Sequence, residues 1–227
     1  METVQGDNTK ERSLFDRYAR KYLPEMRLLF RGAKLSKKEG DWNNVIDHQL
    51  ACLAATDVLS TALDLPEGSR QVLNKAALVH DWDQRLEKKP GHFTDEEKAA
   101  AKEQFEDLQA DETLLEATGD GFSRTVINGN ASFLQEILFY TDNICKGSEI
   151  VPLKQRLDEV EARRSDLNED QELTRKLGGR YWDIERKGAT EAERKIFEGL
   201  KAKGVDIKSQ EEIPSFINQK VEEMLSV

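Results

Sequence analysis

Two of the chain's three histidines, His48 and His80, fall where a helical pattern turns its apolar side chains inward. Asp81 follows His80 directly in the stretch KAALVHDWDQR, and Asp142 stands beside Leu138 and Cys145 in another apolar run. A lone buried carboxylate costs several kcal/mol unless it is paired or bound to a metal. Bringing His48, His80, Asp81 and Asp142 together removes that cost. Two imidazoles and two carboxylates fill four positions of an octahedral divalent ion and leave the others for water or substrate oxygens. Such an N/O set suits Mn, Fe, Co, Ni or Zn and tolerates Mg. Consecutive helix residues diverge by about 100°, but where a helix frays at its end both members of the His80-Asp81 doublet can reach one ion.

Each of these residues has a plainer reading. A single inward histidine is most simply a core residue satisfied by a backbone carbonyl. Taken jointly that reading weakens, because four buried polar accidents would have to coincide. His92 follows a glycine in a loop and is expected in solvent. Cys52 lies one turn after His48 and Cys145 three residues after Asp142, which invites a zinc site, but small buried thiols usually just pack. Trp82, Tyr181 and Trp182 are expected as packing anchors. Arg163, Arg164, Arg175, Lys176 and Arg180 alternate with acids and are expected on a solvated helix face.

The elements that must position these groups are predicted to be helices almost throughout. Gly and Pro are sparse, 14 and 5 in 227 residues, β-branched alternation is nearly absent, and apolar spacings of three and four dominate. The fold class is all-α, with no strand expected. Helices are expected over about 9–30, with Pro24 as a kink, 42–63 behind Asp41 as N-cap, and 68–83. A polar helix with Thr94 as N-cap and Glu97 at the capping-box position should reach about 116. The stretch TGDGFSRTVINGNAS is expected to be irregular, and a helix to follow over about 132–145. After Pro152 come charge-laced helices over 153–176 and 190–203, separated by LGGRYWDIERKG, and a last helix over about 214–225.

Composition bounds the function. A chain of this length can bury a self-supporting core. With two cysteines and no charged start leading into an apolar run, a cytoplasmic, reducing location is expected. The apolar runs are too short to span a bilayer. A net charge of −10 opposes binding to duplex nucleic acid but leaves room for one small anion in a local basic pocket.

The pattern resembles the HD superfamily of metal-dependent phosphohydrolases. The matching pieces, in that family's order, are VIDHQLACLAATDVLS for the first histidine, AALVHDWDQR for the doublet and ILFYTDNICKGSEIVPLKQR for the last aspartate. They cover roughly residues 42–157. The resemblance implies an HD-domain-like helical bundle, placed over 1–157; the shift in composition after Pro152 is read as an appended charge-rich helical layer over 158–227, a candidate contact for a homo-oligomer. It implies a divalent metal held by His48, His80, Asp81 and Asp142, and hydrolysis of a small phosphoester or phosphoanhydride, nucleotides first among them. The family's Ile-Gly-Lys continuation is absent; Trp82, Asp83, Gln84 and Arg85 stand there instead. Arg85, Lys146 and Arg156 are then the candidates for contacting phosphate, and Asp81 or Asp83 for handling the proton of an attacking water. Dinuclear members need further histidines between the doublet and the last aspartate, and only His92 lies there, so one ion per chain is expected. The alternative is a catalytically silent HD-like module that works by binding or assembly.

Overall fold

The computed structural model describes residues 13–24, 43–81, 99 and 110–227. Within them the helices are α1 (Leu14–Tyr22), α2 (Asn43–Ala62), α3 (Glu67–Val79), the short α4 (Glu112–Leu115), α5 (Phe122–Ile127), α6 (Phe133–Ile144), α7 (Leu153–Arg163), α8 (Gln171–Leu177), α9 (Tyr181–Ala202) and α10 (Ile213–Ser226). The all-α expectation holds for these residues. One exception is a two-residue hairpin, β1 (Cys145–Lys146) paired antiparallel with β2 (Glu149–Ile150). It turns through Gly147 at φ 55°, a conformation open to glycine without strain, and two-residue strands carry too little pattern to be seen in sequence.

α2 is the helix around which the others pack. Leu50, Ala51, Leu53, Ala54, Ala55 and Leu59 are each no more than 1% exposed, so it is apolar on every side, as only a central helix is. Its small alanines let α1, α3, α6 and α10 lie close against it. It stops at Asp64, which takes the left-handed position at φ 55° while the Leu65 N–H reaches back to the Ser60 carbonyl at 3.0 Å. Aspartate is among the few non-glycine residues that adopt this conformation readily.

A polar knot further along α2 fixes its neighbours. The Tyr18 hydroxyl donates to Asp57 at 2.7 Å, and the Asn74 amide donates to the other oxygen of Asp57 at 2.9 Å. Asp57 thereby ties α1 and α3 to α2 at one point, and the direction of α3, with His80 at its end, follows. α6 starts on a capping box between Ser132 and Gln135, which satisfies its first N–H groups and holds the helix carrying Asp142.

Two expected loops are helical. α5 lies inside the stretch expected to be irregular: Phe122 and Val126, four apart, are 7% and 1% exposed, a one-turn apolar pair too short to stand out among glycines. α9 runs straight through LGGRYWDIERKG from Tyr181 onward. Gly188 does not break it, because a Cβ there would lie 2.5 Å from the Ser123 Cβ and 2.6 Å from the Ser123 Cα. The glycine is there for close approach of α5, not for a turn. Residues 82–98, which include the Thr94 cap and Glu97, and residues 25–30 at the end of the first expected helix lie outside the described residues.

The core runs across residue 157. Ala189, Ala192, Ile196 and Leu200 of α9 are fully buried in the same apolar cluster as Leu59, Leu73 and Ile137. The Tyr140 hydroxyl of α6 donates to Glu193 at 3.2 Å, and Lys195 pairs with Glu136. Ile196→Ala is expected to cost about 2–5 kcal/mol, the usual range for emptying such a site, and to do so in a single urea transition. Two separate transitions, with only the later one shifted, would count against one shared core.

Candidate metal centre

His48 projects from α2, His80 and Asp81 leave the end of α3, and Asp142 lies in the last turn of α6. His80 is the C-cap of α3 at φ −55°, ψ −28°, and Asp81 follows in the turn, so the doublet sits at the end of its helix as the sequence suggested. The four groups converge. His48 Nε2 is 3.2 Å from His80 Nε2 and 3.0 Å from Asp142 Oδ1. Asp142 Oδ1 is 3.4 Å from His80 Nε2, and Asp81 Oδ2 lies 3.7 Å and 3.8 Å from the two Nε2 atoms.

The separations among His48, His80 and Asp142 fit ligands of one ion, whereas Asp81 stands somewhat farther out. With metal–N and metal–O distances of about 2.0–2.2 Å, adjacent donors stand roughly 3.0 Å apart in an octahedron and 3.4 Å apart in a tetrahedron. His80 Nδ1 donates to the Ala77 carbonyl at 2.9 Å. A carbonyl only accepts, so Nδ1 carries the hydrogen and Nε2 is the nitrogen that faces the cluster. A backbone partner of this kind is how ligating histidines are usually oriented. His80's side chain is fully buried, while Asp142 keeps part of its surface open.

The electrostatics call for positive charge. Burial works against a charged His80, but Asp81 and Asp142, with the Ala77 carbonyl, outweigh it and push the imidazole up to about 10. Burial likewise opposes ionised Asp142, yet hydrogen bonds from His48 and His80 hold its carboxyl well below the usual carboxylate range. Two carboxylates here draw a cation into the cluster, either a proton on an imidazole or a metal.

Cys52 joins the group more closely than a packing residue needs to. Its Sγ and one donor atom each of His48, His80 and Asp142 all lie within 4.8 Å of one another, a set that could hold a metal ion. The sulfur is, however, 3.7 Å from Nε2 and 4.0 Å from Nδ1 of His48, almost equidistant, which puts it alongside the ring edge instead of ahead of the ligating nitrogen. Burial, a hydrogen bond with Cys145, and the charges of Asp142 and Asp81 push its thiol well above the ordinary range. It is best suited to pack against His48 as a neutral thiol.

The cluster opens into a cavity of about 740 Å³. Lys146 and Arg156, expected to contact phosphate, line it with His48, Asp81 and Asp142. Arg163 and Arg164 line it too while remaining exposed, as the alternating charges of α7 suggested. Glu185 of α9 is on the same wall, and no sequence signal marked it beyond its place among aromatic residues. Tyr181 and Trp182 are buried, stacked edge to face with centroids 4.9 Å apart, and the Trp182 indole donates to the Arg164 carbonyl at 2.9 Å. They are anchors that also form cavity wall. Asp83 and Arg85, with Trp82 and His92, lie outside the described residues.

Asp142→Ala and His80→Ala are expected to abolish stoichiometric Co²⁺ or Mn²⁺ binding measured by calorimetry, while Cys52→Ser changes affinity less than about tenfold. Loss of binding in Cys52→Ser as complete as in Asp142→Ala would make the sulfur a ligand. Compared with protein-family models, curated proteins and solved structures, the chain matches none of them.

Proposed function

We propose that the chain is a metal-dependent phosphohydrolase of the HD type, acting on a small phosphoester or phosphoanhydride, with nucleotides as the first class to test. The observation that carries this reading is the meeting of an N/O donor cluster with cations in one cavity. His48 and His80 contribute nitrogens 3.2 Å apart, Asp81 and Asp142 contribute oxygens beside them, and Lys146 and Arg156 share the cavity. A cluster alone fits storage or structure; a cluster that shares a cavity with cations fits an anionic substrate that must approach an ion.

A divalent ion bound by His48, His80, Asp81 and Asp142 would lower the pKa of a coordinated water toward neutrality and offset charge developing on phosphoryl oxygens. The chain's own groups do the rest. Asp81 sits at the edge of the cluster, where its carboxylate can orient the attacking water and take its proton. Lys146 Nζ lies 2.9 Å from Glu159, and Arg156 lies 3.9 Å from the other oxygen of the same carboxylate. Lys146 is 40% exposed, and a pair that open to solvent is worth little. A phosphate, with more charge and more acceptor oxygens than Glu159, therefore displaces it at small cost and gains two charge-assisted hydrogen-bond donors.

The test is turnover of a panel of nucleotides and simple phosphoesters by protein stripped with a chelator and reloaded with Mn²⁺, Co²⁺, Ni²⁺ or Mg²⁺. Activity should appear only with metal. Asp142→Asn should reduce it by a factor of about 10³ or more, in keeping with the several kcal/mol a metal contributes to the transition state. Arg156→Ala should mainly raise KM. A metal-loaded protein that turns over nothing in the panel leaves the silent binding module as the better reading.

A further inference from the structure

Glu185 is an ionisable group of the cavity that has no part in the scheme above. It lies one turn into α9, is 7% exposed, and lines the same cavity as His48, Asp81 and Asp142. The Ser123 hydroxyl of α5 donates to its Oε2, and the Asn143 amide of α6 donates to its Oε1 at 3.4 Å. The carboxyl is thus held from both sides, by α5 and by the residue next to Asp142.

Its position depends on a close helix contact. Gly188, one turn beyond Glu185, lets α5 come so near that a Cβ at 188 would be 2.6 Å from the Ser123 Cα and 2.8 Å from the Ser123 carbonyl oxygen. Any side chain at 188 would push Ser123 away from Glu185. A buried carboxyl fixed by two hydrogen bonds and a backbone contact, on the wall of an open cavity beside a metal-ligand cluster, is a group with one orientation and access to a substrate.

We infer that Glu185 is a catalytic residue, the proton donor to the leaving-group oxygen. The inference rests on the phosphohydrolase reading. In the step, the water oxygen forms a bond to phosphorus as the bond from phosphorus to the leaving-group oxygen breaks. The electron pair goes to that oxygen, which takes the proton of the Glu185 carboxyl. The proton lost by the water goes to Asp81, and Glu185 is reprotonated from solvent.

The surroundings of Glu185 keep a proton on it near neutrality. Burial comes first and Asp142 and Asp120 add to it, against the hydrogen bonds from Ser123 and Asn143, pushing the carboxyl up to about 7. Tyr181, one turn earlier on α9, and Arg163 and Arg164 at the end of α7 also face the cavity. The acid form is present below about 7 and lost as pH rises through it, so turnover that needs the donor should fall on that alkaline side.

The experiment compares wild type and Glu185→Gln, loaded with Mn²⁺, on p-nitrophenyl phosphate, whose leaving group departs without a proton, and on an alkyl phosphate, whose leaving group needs one. The variant's deficit should be about 10²–10³-fold on the alkyl ester, within the usual range for general acid catalysis, and at least about tenfold smaller on the nitrophenyl ester. Its Mn²⁺ affinity by calorimetry should match wild type. Equal deficits on both esters, or weakened Mn²⁺ binding, would make Glu185 a positioning residue for Asn143 and Asp142 and overturn the assignment. If the variant does not fold, a series of aryl phosphates on wild type decides: rates nearly independent of leaving-group basicity support a donor, and a steep dependence excludes one. Wild type that binds Mn²⁺ but cleaves neither ester would sink the phosphohydrolase reading, and the donor role with it, whereas the equal-deficit outcome sinks the donor role alone.

Discussion

Asp142 Oδ1 lies 3.0 Å from His48 Nε2 and 3.4 Å from His80 Nε2, with Asp81 Oδ2 farther out at 3.7 Å and 3.8 Å. Two carboxylates at that spacing, walled by apolar helices, need positive charge among them, and an isolated negative charge there would destabilise the fold. Much of the rest can be traced to holding these groups at this distance. His80's ring is fixed by the Ala77 carbonyl. α3 is fixed against α2 by Asp57 and Asn74, and α6 by its capping box at one end and the hairpin at the other. The converging groups come from two helices and the end of a third, so their geometry is set by helix packing.

That packing depends on small residues at particular contacts. Ala51, Ala54 and Ala55 keep α2 thin enough for neighbours on every side, and Gly188 does the same where α9 meets α5. Both are strong helix contacts bought with little side-chain volume, and both bring polar groups together: His48 with His80 and Asp142 in one case, Ser123 with Glu185 in the other. The charge-rich segment expected as an appended layer also contributes to the core and to the cavity. Its α9 places Ile196 and Leu200 in the core and Glu185 on the cavity wall.

The cluster was legible in the sequence because each member is a local anomaly, a polar group in an apolar helical stripe, and such stripes are set within a few turns. His48, His80 and Asp142 each broke a run that otherwise explained itself. Glu185 broke no run: it lies among Asp183, Arg186 and Lys187, and only the approach of α5 makes it buried. Gly188 was equally ambiguous, since a glycine that ends a helix and one that admits a neighbour look alike until the neighbour is known. What sequence withheld was in each case a long-range contact, whereas capping, stripes and the doublet at a helix end are short-range.

The same distinction bears on how a chain of net charge −10 would accept an anion. Long-range attraction is absent, and beyond a Debye length of about 8–10 Å the overall charge is screened in any case. What an anion would meet is local: Lys146, Arg156, Arg163 and Arg164 line the same cavity as His48, Asp81 and Asp142. With the cluster lacking a cation, Asp81 and Asp142 repel a phosphate from the position next to them. With a divalent ion in place, the same position attracts it. Under the phosphohydrolase reading proposed above, a metal and an anionic substrate would favour each other's binding through charge, by reciprocal linkage.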